Sequence, residues 1–202
     1  MNTNEIIRQT TEGYERIAGD YSKRWLKDFG SVRYFLDSFI QELQGRNVLD
    51  VGCGPGRDVK YLSEVGLEVT GIDLSDSFLE IASKNSPSAK FLKRDMRHLD
   101  FPNDSYNGIW ACSSFLHIPL SESKMTLEGF YRILKKEGII YLCVKEGEGE
   151  RFVEGKDGEK IFFAFYSKNK ICDLVQSSGF HILTVTLTQN FANWINLFAK
   201  KT

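Results

Sequence analysis

A glycine-rich segment carries the densest set of chemically useful residues in the chain. Residues 50–58 have the sequence DVGCGPGRD and lie between an apolar run and an amphipathic stretch. A turn that leaves a buried strand and enters a helix is where open α/β sheets bind ligands, and glycines let the backbone approach a ligand without Cβ clashes. The acid at Asp50 suits a ligand that carries an ammonium group and disfavours a pyrophosphate.

The spacing of the glycines argues against two common nucleotide-binding motifs. The dinucleotide fingerprint needs G-x-G-x-x-G, and counting from Gly52 its third glycine position is occupied by Arg57, while a glycine stands at Gly56 instead. No G-K-[ST] follows, so the segment is not a P-loop. Pro55 has no amide hydrogen to donate, which predicts that it lies in the first turn of the following helix.

Two further acids follow the next two strand candidates. Asp73 ends the second apolar run, 21 residues after Gly52, where a carboxylate can accept both hydroxyls of a ribose. Asp95 and Met96 follow a third candidate strand, and this pair can bind the exocyclic amine and the flat face of an adenine. Acids placed in order on successive strand ends predict a nucleoside site.

The elements that must position these residues alternate between short apolar strands and amphipathic helices, which predicts one doubly wound α/β domain. An uninterrupted apolar run at 139–144 is typical of a central parallel strand. Two strand-like runs at the carboxyl end have no helix between them and predict an antiparallel hairpin. The predicted strands are 48–51, 67–72, 90–93, 108–112, 139–144, 180–188 and 194–199, and the helices before the first strand are 14–25 and 32–43, with Gly45, Gly66, Gly138 and Gly179 as helix ends.

Composition excludes several classes of protein. The chain has 202 residues and a net charge of −1, so it has no overall electrostatic footprint for nucleic acid or an anionic membrane. No apolar run approaches the roughly 18 residues that a membrane span needs. Charged residues throughout the first twenty predict that there is no signal peptide. The four cysteines form no C-x-x-C pair, which favours a reduced, cytoplasmic protein without a structural metal.

Residues 48–58, Asp73, the Asp95–Met96 pair and residues 110–116 together resemble the class I S-adenosylmethionine (SAM)-dependent methyltransferase superfamily. The resemblance covers roughly residues 43–144. It implies a Rossmann-like fold with a mostly parallel seven-stranded sheet, whose carboxyl-terminal strand inserts antiparallel. It also implies an enzyme of class EC 2.1.1.- that takes SAM as cofactor, releases S-adenosylhomocysteine (SAH) and uses no metal.

The resemblance assigns roles to individual residues. Asp50, Gly52 and Gly54 would hold the methionine part of SAM. Asp73 would bind its ribose, and Asp95 with Met96 would bind its adenine. Tyr21, on an aromatic amino-terminal helix, would close over the cofactor, whereas packing in the core is at least as good an explanation for Tyr14. The complete predicted cofactor set is Tyr21, Asp50, Gly52, Cys53, Gly54, Gly56, Arg57, Asp73, Leu74, Asp95, Met96 and Ser113.

The domain organisation is predicted as one domain with two accessory parts. Residues 1–45 form a helical cap or lid on a SAM-binding core of residues 46–202. Residues 145–166 combine many charges with a run of aromatic residues at 162–166 and lie where an acceptor pocket is expected, so we predict an acceptor-site lid. A solvated surface hairpin is an equally good interpretation of the same segment.

His117 is the predicted catalytic residue, because it follows the fourth strand at the edge of the expected cleft and could act as a base or substrate contact. It could also order the turn before Pro119. Residues 112–115 (CSSF) replace the [DN]-P-P-[YF] associated with planar amino groups of nucleic bases and glutamine, so the predicted acceptor is a small molecule, not DNA. A methyltransferase for a protein or RNA and a non-catalytic SAM-binding module remain alternatives, and the oligomeric state is open.

Overall fold

The strands and helices follow one another in the alternating order that the sequence predicts. The computed structural model describes residues 2–156, 158–189 and 192–202. The helices are α1 (Thr3–Trp25), α2 (Val32–Glu42), α3 (Arg57–Glu64), α4 (Asp76–Asn85), α5 (Ser123–Ile133) and α6 (Lys168–Ser177), with a 3-10 turn at Phe115–His117. The strands are β1 (Asn47–Val51), β2 (Glu68–Asp73), β3 (Lys90–Lys93), β4 (Tyr106–Cys112), β5 (Leu134–Lys145), β6 (Glu150–Glu154), β7 (Lys160–Ala164), β8 (Phe180–Gln189) and β9 (Asn193–Lys201).

The main sheet has seven strands in the order β3-β2-β1-β4-β5-β9-β8. Strands β1 to β5 pair in parallel, and β9 runs antiparallel to both of its neighbours, β5 and β8. This confirms the predicted doubly wound sheet with an antiparallel carboxyl-terminal strand. The strand order reverses between β1 and β4, which opens a crevice at the carboxyl ends of these two strands.

The core consists of two apolar layers, one on each face of the sheet, because successive residues of a strand point to opposite faces. Ile109 of β4 and Leu142 of β5 belong to the layer that includes α5 and α6. Trp110 and Tyr141 belong to the other layer, under α2, and their rings stack with centroids 4.0 Å apart. Burying each such side chain stabilises the fold by about 1.5–3 kcal/mol.

Several helix boundaries differ from the prediction. Helix α5 ends at Ile133 rather than continuing to Gly138, because Leu134 is fully buried and already pairs with Tyr106 of β4. The register of β4 against β5 then shifts, so Gly138 lies inside the strand instead of ending the helix. Helix α2 ends at Glu42, before Gly45. Ser75 and Ser167 cap α4 and α6 by accepting a hydrogen bond from a backbone amide.

The amino-terminal helix and the β6–β7 hairpin pack against each other beside the sheet. The hydroxyl of Thr10 in α1 accepts a hydrogen bond from the amide of Phe162 in β7 at 3.3 Å. A Cβ on Gly13 of α1 would lie 2.8 Å from the carbonyl oxygen of Lys160, so glycine permits this close approach. The division into a cap, a core and a lid stays a prediction. Among the described residues, no helix combines the length and apolarity that crossing a membrane requires.

Candidate functional site

One cavity of about 920 Å³ opens at the carboxyl ends of the central strands, where the strand order reverses. This volume is near the upper end of the range typical of ligand pockets, roughly 300–1,000 Å³. All of the predicted site residues except Gly56 line it, namely Tyr21, Asp50, Gly52, Cys53, Gly54, Arg57, Asp73, Leu74, Asp95, Met96, Ser113 and His117. The structure therefore brings together residues from several separate segments of the chain.

The three glycines of the turn have positive φ angles for different physical reasons. A Cβ on Gly52 (φ +70°) would clash with the side chain of Ser114. A Cβ on Gly54 (φ +52°) would meet no heavy atom within 4 Å, because this residue faces open cavity. Gly56 (φ +81°) precedes α3, and its Cβ would lie 2.8 Å from that of Ala82 in α4. Gly56 thus allows α3 and α4 to pack closely and does not line the cavity. Pro55 lies before α3, which begins at Arg57, and not in its first turn as predicted.

Asp50 is the most unusual acid in the cavity. Its residue is 3% exposed, and its carboxylate makes no hydrogen bond within the described parts of the chain. Burial raises the pKa of Asp50 well above its usual range, and the nearby carboxylate of Asp58 adds to this effect, while the positive charge of Arg57 acts in the opposite direction. A buried carboxylate without a partner is costly. A cationic group of a ligand in the cavity would offset that cost.

Asp73 ties the end of β2 to the glycine turn. Its Oδ2 accepts a hydrogen bond from the amide of Gly54 and its Oδ1 one from the amide of Ser75, both at 2.9 Å. Burial raises the pKa of Asp73, although these backbone hydrogen bonds act in the opposite direction. Each carboxylate oxygen keeps acceptor capacity. Asp73 can therefore accept a pair of hydroxyl groups, as its position after β2 predicts.

Asp95 is held in place by an arginine that the sequence did not single out. Arg97, whose side chain is 4% exposed, donates from Nη2 to Asp95 Oδ2 at 2.6 Å and from Nη1 to Glu122 at 2.7 Å. The amide of Arg97 also donates to Asp95 Oδ1. This network fixes the acid beside Met96, whose methyl group approaches Gly52. The D-x-R spacing was a visible signal, but the partner Glu122 lies 25 residues away.

Arg57 lies at the cavity wall with its charge partly balanced. Its Nε donates to Asp58 Oδ1 at 2.6 Å, and its Nη1 donates to the carbonyl of Asp28 at 2.9 Å. Asp58 Oδ2 in turn accepts from the indole nitrogen of Trp110 at 2.9 Å. The guanidinium is therefore oriented by three segments of the chain before any ligand binds. It can bind a carboxylate.

His117 and Tyr14 form a hydrogen-bonded pair in the cavity. His117 Nδ1 lies 2.7 Å from the carbonyl oxygen of Phe162, which can only accept, so Nδ1 carries the proton. Nε2 then accepts from the hydroxyl of Tyr14 at 3.0 Å. Burial lowers the pKa of His117 to about 4, which keeps the ring neutral at pH 7. Both ring nitrogens of His117 therefore have hydrogen-bonding partners. Tyr14, for which the sequence favoured packing in the core, lines the cavity and donates its hydroxyl hydrogen to His117.

Two other predicted residues have notable environments. Tyr21 packs edge-to-face on Tyr14 with ring centroids 5.8 Å apart, and burial raises its pKa to about 12. Ser113 has a φ of +55°, which is uncommon for a residue with a side chain, and its amide donates to the carbonyl of Cys143. Backbone strain of this kind clusters at functional sites. Within the described residues, no group of three or more acidic, histidine or cysteine side chains is arranged to hold a metal ion.

Comparison with known proteins agrees with this site. A family model described as a methyltransferase domain matches residues 48–138. This region is thus similar to methyltransferase domains, in agreement with the resemblance of residues 43–144 to the class I SAM-dependent methyltransferase superfamily. The match includes the glycine turn, Asp73, Asp95 and His117, and therefore much of the lining of the cavity.

Individual relatives of the methyltransferase domain differ in their chemistry. The 2-methyl-6-phytyl-1,4-hydroquinone methyltransferase of Synechocystis is 33% identical over 103 residues, which cover 49% of this chain and 32% of that protein. A SAM-dependent Diels-Alderase of Talaromyces variabilis is 32% identical over 102 residues, covering 46% of this chain and 34% of that protein. The chain thus spans about a third of the length of these two curated relatives.

A solved structure shows the same fold over the whole chain. The 1,6-didemethyltoxoflavin-N1-methyltransferase of Burkholderia thailandensis, determined with bound 1,6-didemethyltoxoflavin and SAH, has a TM-score of 0.81. The alignment covers 100% of this chain and 91% of that chain at 19% identity. At this identity the likeness establishes the fold of the methyltransferase domain and not its acceptor.

Proposed function

We propose that this chain binds SAM and transfers its methyl group to a small-molecule acceptor. The observation that supports the proposal best is Asp50, a buried cavity carboxylate without a hydrogen-bonding partner in the described structure. It shares the cavity with Asp73, so the site offers an anion for an ammonium group and acceptors for a diol. Family membership of residues 48–138 supports the same donor.

The residues present fit SAM. In the proposed complex Asp50 pairs with the ammonium group, Arg57 with the carboxylate, Asp73 with the ribose hydroxyls and Asp95 with the adenine amine. Gly54 leaves open space where any side chain would project. When bound, SAM supplies a methyl carbon whose bond to the positively charged sulfur breaks as a lone pair of the acceptor bonds to it, leaving SAH.

The chain's own contribution is alignment and exclusion of water. Helix α1 and the β6–β7 hairpin contact each other beside the cavity, so we propose that they form its cover. The Tyr14 hydroxyl uses its proton on His117 Nε2 and keeps its oxygen lone pairs for an acceptor. Because the pKa of His117 is about 4, its neutral ring is a weak base, and we propose that it acts by positioning Tyr14.

A small acceptor is favoured over a protein or RNA because Tyr14 and His117 are largely buried inside the cavity. The relatives whose names describe methylation of a hydroquinone or of 1,6-didemethyltoxoflavin act on small molecules. We further propose a cytoplasmic location, since the four cysteines are all free thiols. SAM binding without methyl transfer is the second candidate, because one relative is named as a SAM-dependent Diels-Alderase.

Isothermal titration calorimetry of the purified chain with SAM, SAH and NADH tests the donor assignment. We expect binding of SAM and SAH and none of NADH. Incubation with SAM labelled in its methyl group, against a panel of small phenols, acids and amines, then tests transfer. Absence of SAM and SAH binding refutes the proposal. Binding with no labelled product across the panel favours the second candidate.

A further inference from the structure

The charges that line the cavity are distributed unevenly between its two ends. Four of its carboxylates lie near the carboxyl ends of the first three strands: Asp50 in β1, Asp58 in the first turn of α3, Asp73 at the end of β2 and Asp95 just after β3. At the other end, the last residue of β5 is Lys145, which also lines the cavity. Arg24, Arg57 and Arg94 also line the cavity. Acids still outnumber cations around the proposed donor site, and the far end carries the cation of Lys145.

Lys145 has no anionic partner in the described parts of the chain. It forms no ion pair there with a carboxylate. Burial lowers the pKa of Lys145, and the positive charge of Arg151 lowers it further. A half-buried ammonium group without a counterion is unfavourable in the free protein. An anionic group of a bound ligand beside Lys145 would offset both the cost of burying the ammonium group and its repulsion by Arg151.

Aromatic rings surround this ammonium group. Lys145 Nζ lies 3.8 Å from the ring centroid of Phe163 in β7 and 5.6 Å from that of Trp194, which pairs with it across β5 and β9. Phe163 also packs on His117, with ring centroids 5.0 Å apart. A planar molecule lying on Phe163 would thus reach from Lys145 towards the Tyr14–His117 pair.

We propose that Lys145, Phe163 and Trp194 form the acceptor subsite, and that the acceptor is a planar aromatic compound with an acidic group ionised at neutral pH. The acidic group pairs with Lys145, and the ring packs against Phe163 and Trp194. This assignment rests on the proposed methyl transfer and adds the class of substrate to it. Stacking on the two rings favours planar acceptors, and the ion pair with Lys145 favours acceptors that carry a negative charge.

The test uses the full chain saturated with SAH and three pairs of probes of nearly equal size, an ionised acid and its neutral amide. The pairs are benzoate and benzamide, 2-hydroxybenzoate and 2-hydroxybenzamide, and nicotinate and nicotinamide. Titration calorimetry gives the affinities. A change in tryptophan fluorescence that is lost in Trp194→Phe reports on Trp194, since Trp25 and Trp110 also contribute to the signal. We expect at least one acid to bind about tenfold or more tightly than its amide.

Variants then assign the preference to the ammonium group. Lys145→Met keeps the length of the side chain and is expected to abolish the preference for the acid, while Lys145→Arg retains it. Lys168→Met, at an exposed lysine of α6, is the matched control and leaves it unchanged. SAH affinity, measured on each variant, confirms that it is folded and should be the same in all of them.

The outcomes separate this inference from the proposed function. If SAH does not bind the unmodified chain, the proposed function fails. If SAH binds but no acid is preferred over its amide, or Lys145→Met keeps the preference, only the acceptor assignment is wrong. A loss of SAH affinity in Lys145→Met that Lys145→Arg restores would place Lys145 on the donor's carboxylate and overturn the acceptor assignment.

Discussion

Replacing Asp50 by asparagine tests the central electrostatic argument of the donor site. The substitution keeps the size of the side chain and removes its charge. In the free protein the carboxylate is buried without a hydrogen-bonding partner among the described residues, and burial raises its pKa. The free variant should therefore be at least as stable as the unmodified protein near pH 7. Binding of SAM should weaken, because the ammonium group loses its counter-charge.

The expected loss of SAM affinity follows from the kind of contact that Asp50→Asn removes, a buried hydrogen bond between two charged groups. A buried hydrogen bond to a charged group contributes about 1.5–3 kcal/mol, which corresponds to a loss of about 10–150-fold in affinity. SAM at 100 times its dissociation constant stabilises the unmodified chain by about 2.7 kcal/mol, a rise in Tm of about 5–11 °C at this chain length. After a 100-fold loss, the same SAM concentration gives about 0.4 kcal/mol and a rise of about 1–2 °C.

Thermal unfolding of both proteins with and without SAM measures these values, and Asp173→Asn at an exposed position of α6 serves as the control. The pH dependence gives a second reading of the same group. Because the folded pKa of Asp50 is raised above 3.8, the free protein loses stability as pH rises from that value through the folded pKa. Asp50→Asn should remove this loss. An unchanged rise in Tm with SAM would refute the role of Asp50.

Three further predictions concern the turn and the Tyr14–His117 pair. Gly56→Ala forces a side chain into a φ of +81° and against Ala82. It should lower Tm by about 2–12 °C for a strain of about 1–3 kcal/mol, and an unchanged melting curve would contradict the packing of Gly56 on Ala82. Tyr14→Phe should reduce kcat about tenfold or more with SAH affinity nearly unchanged, measured by labelled methyl transfer and calorimetry, and full activity would exclude the hydroxyl from the mechanism. The folded pKa of His117 is lowered from 6.5 to about 4, so its contribution to the free energy of unfolding is complete above pH 6.5 and is lost as pH falls towards 4. His117→Gln should therefore make the free energy of unfolding, measured with denaturant, less dependent on pH between 6.5 and 4. The same pH profile in both proteins would show that the ring is not buried in solution.

The donor half of the site could be predicted from the sequence because each element is local. Residues 50–58 contain both the end of β1 and the start of α3. Asp73 and Asp95 directly follow or end their own strands, and the carboxyl ends of parallel strands meet at one edge of a sheet. Chain order therefore determined which side chains would share the cavity. Gly56 was the exception, because its neighbour Ala82 belongs to another helix.

The remaining features depend on contacts between distant segments. Tyr14 and His117 are separated by 103 residues, and nothing in the aromatic pattern of α1 distinguishes a hydroxyl that faces the cavity from one in the core. Lys145 lies next to Trp194 only because β9 inserts between β5 and β8. Helix α5 shows the same limit, since the local pattern favoured helix through Leu134 whereas pairing with β4 makes that residue part of a strand.

The contact between α1 and the β6–β7 hairpin also bears on the order in which the molecule folds. The hydrogen bond from Phe162 to Thr10 joins residues 152 positions apart, and closing so long a loop is entropically unfavourable until intervening elements are in place. During synthesis α1 emerges before β5, whereas its partner strand β7 is made only after β5 is complete. The proposed cover over the cavity is thus expected to assemble late, so the ability to hold a ligand would mark the end of folding rather than an early stage.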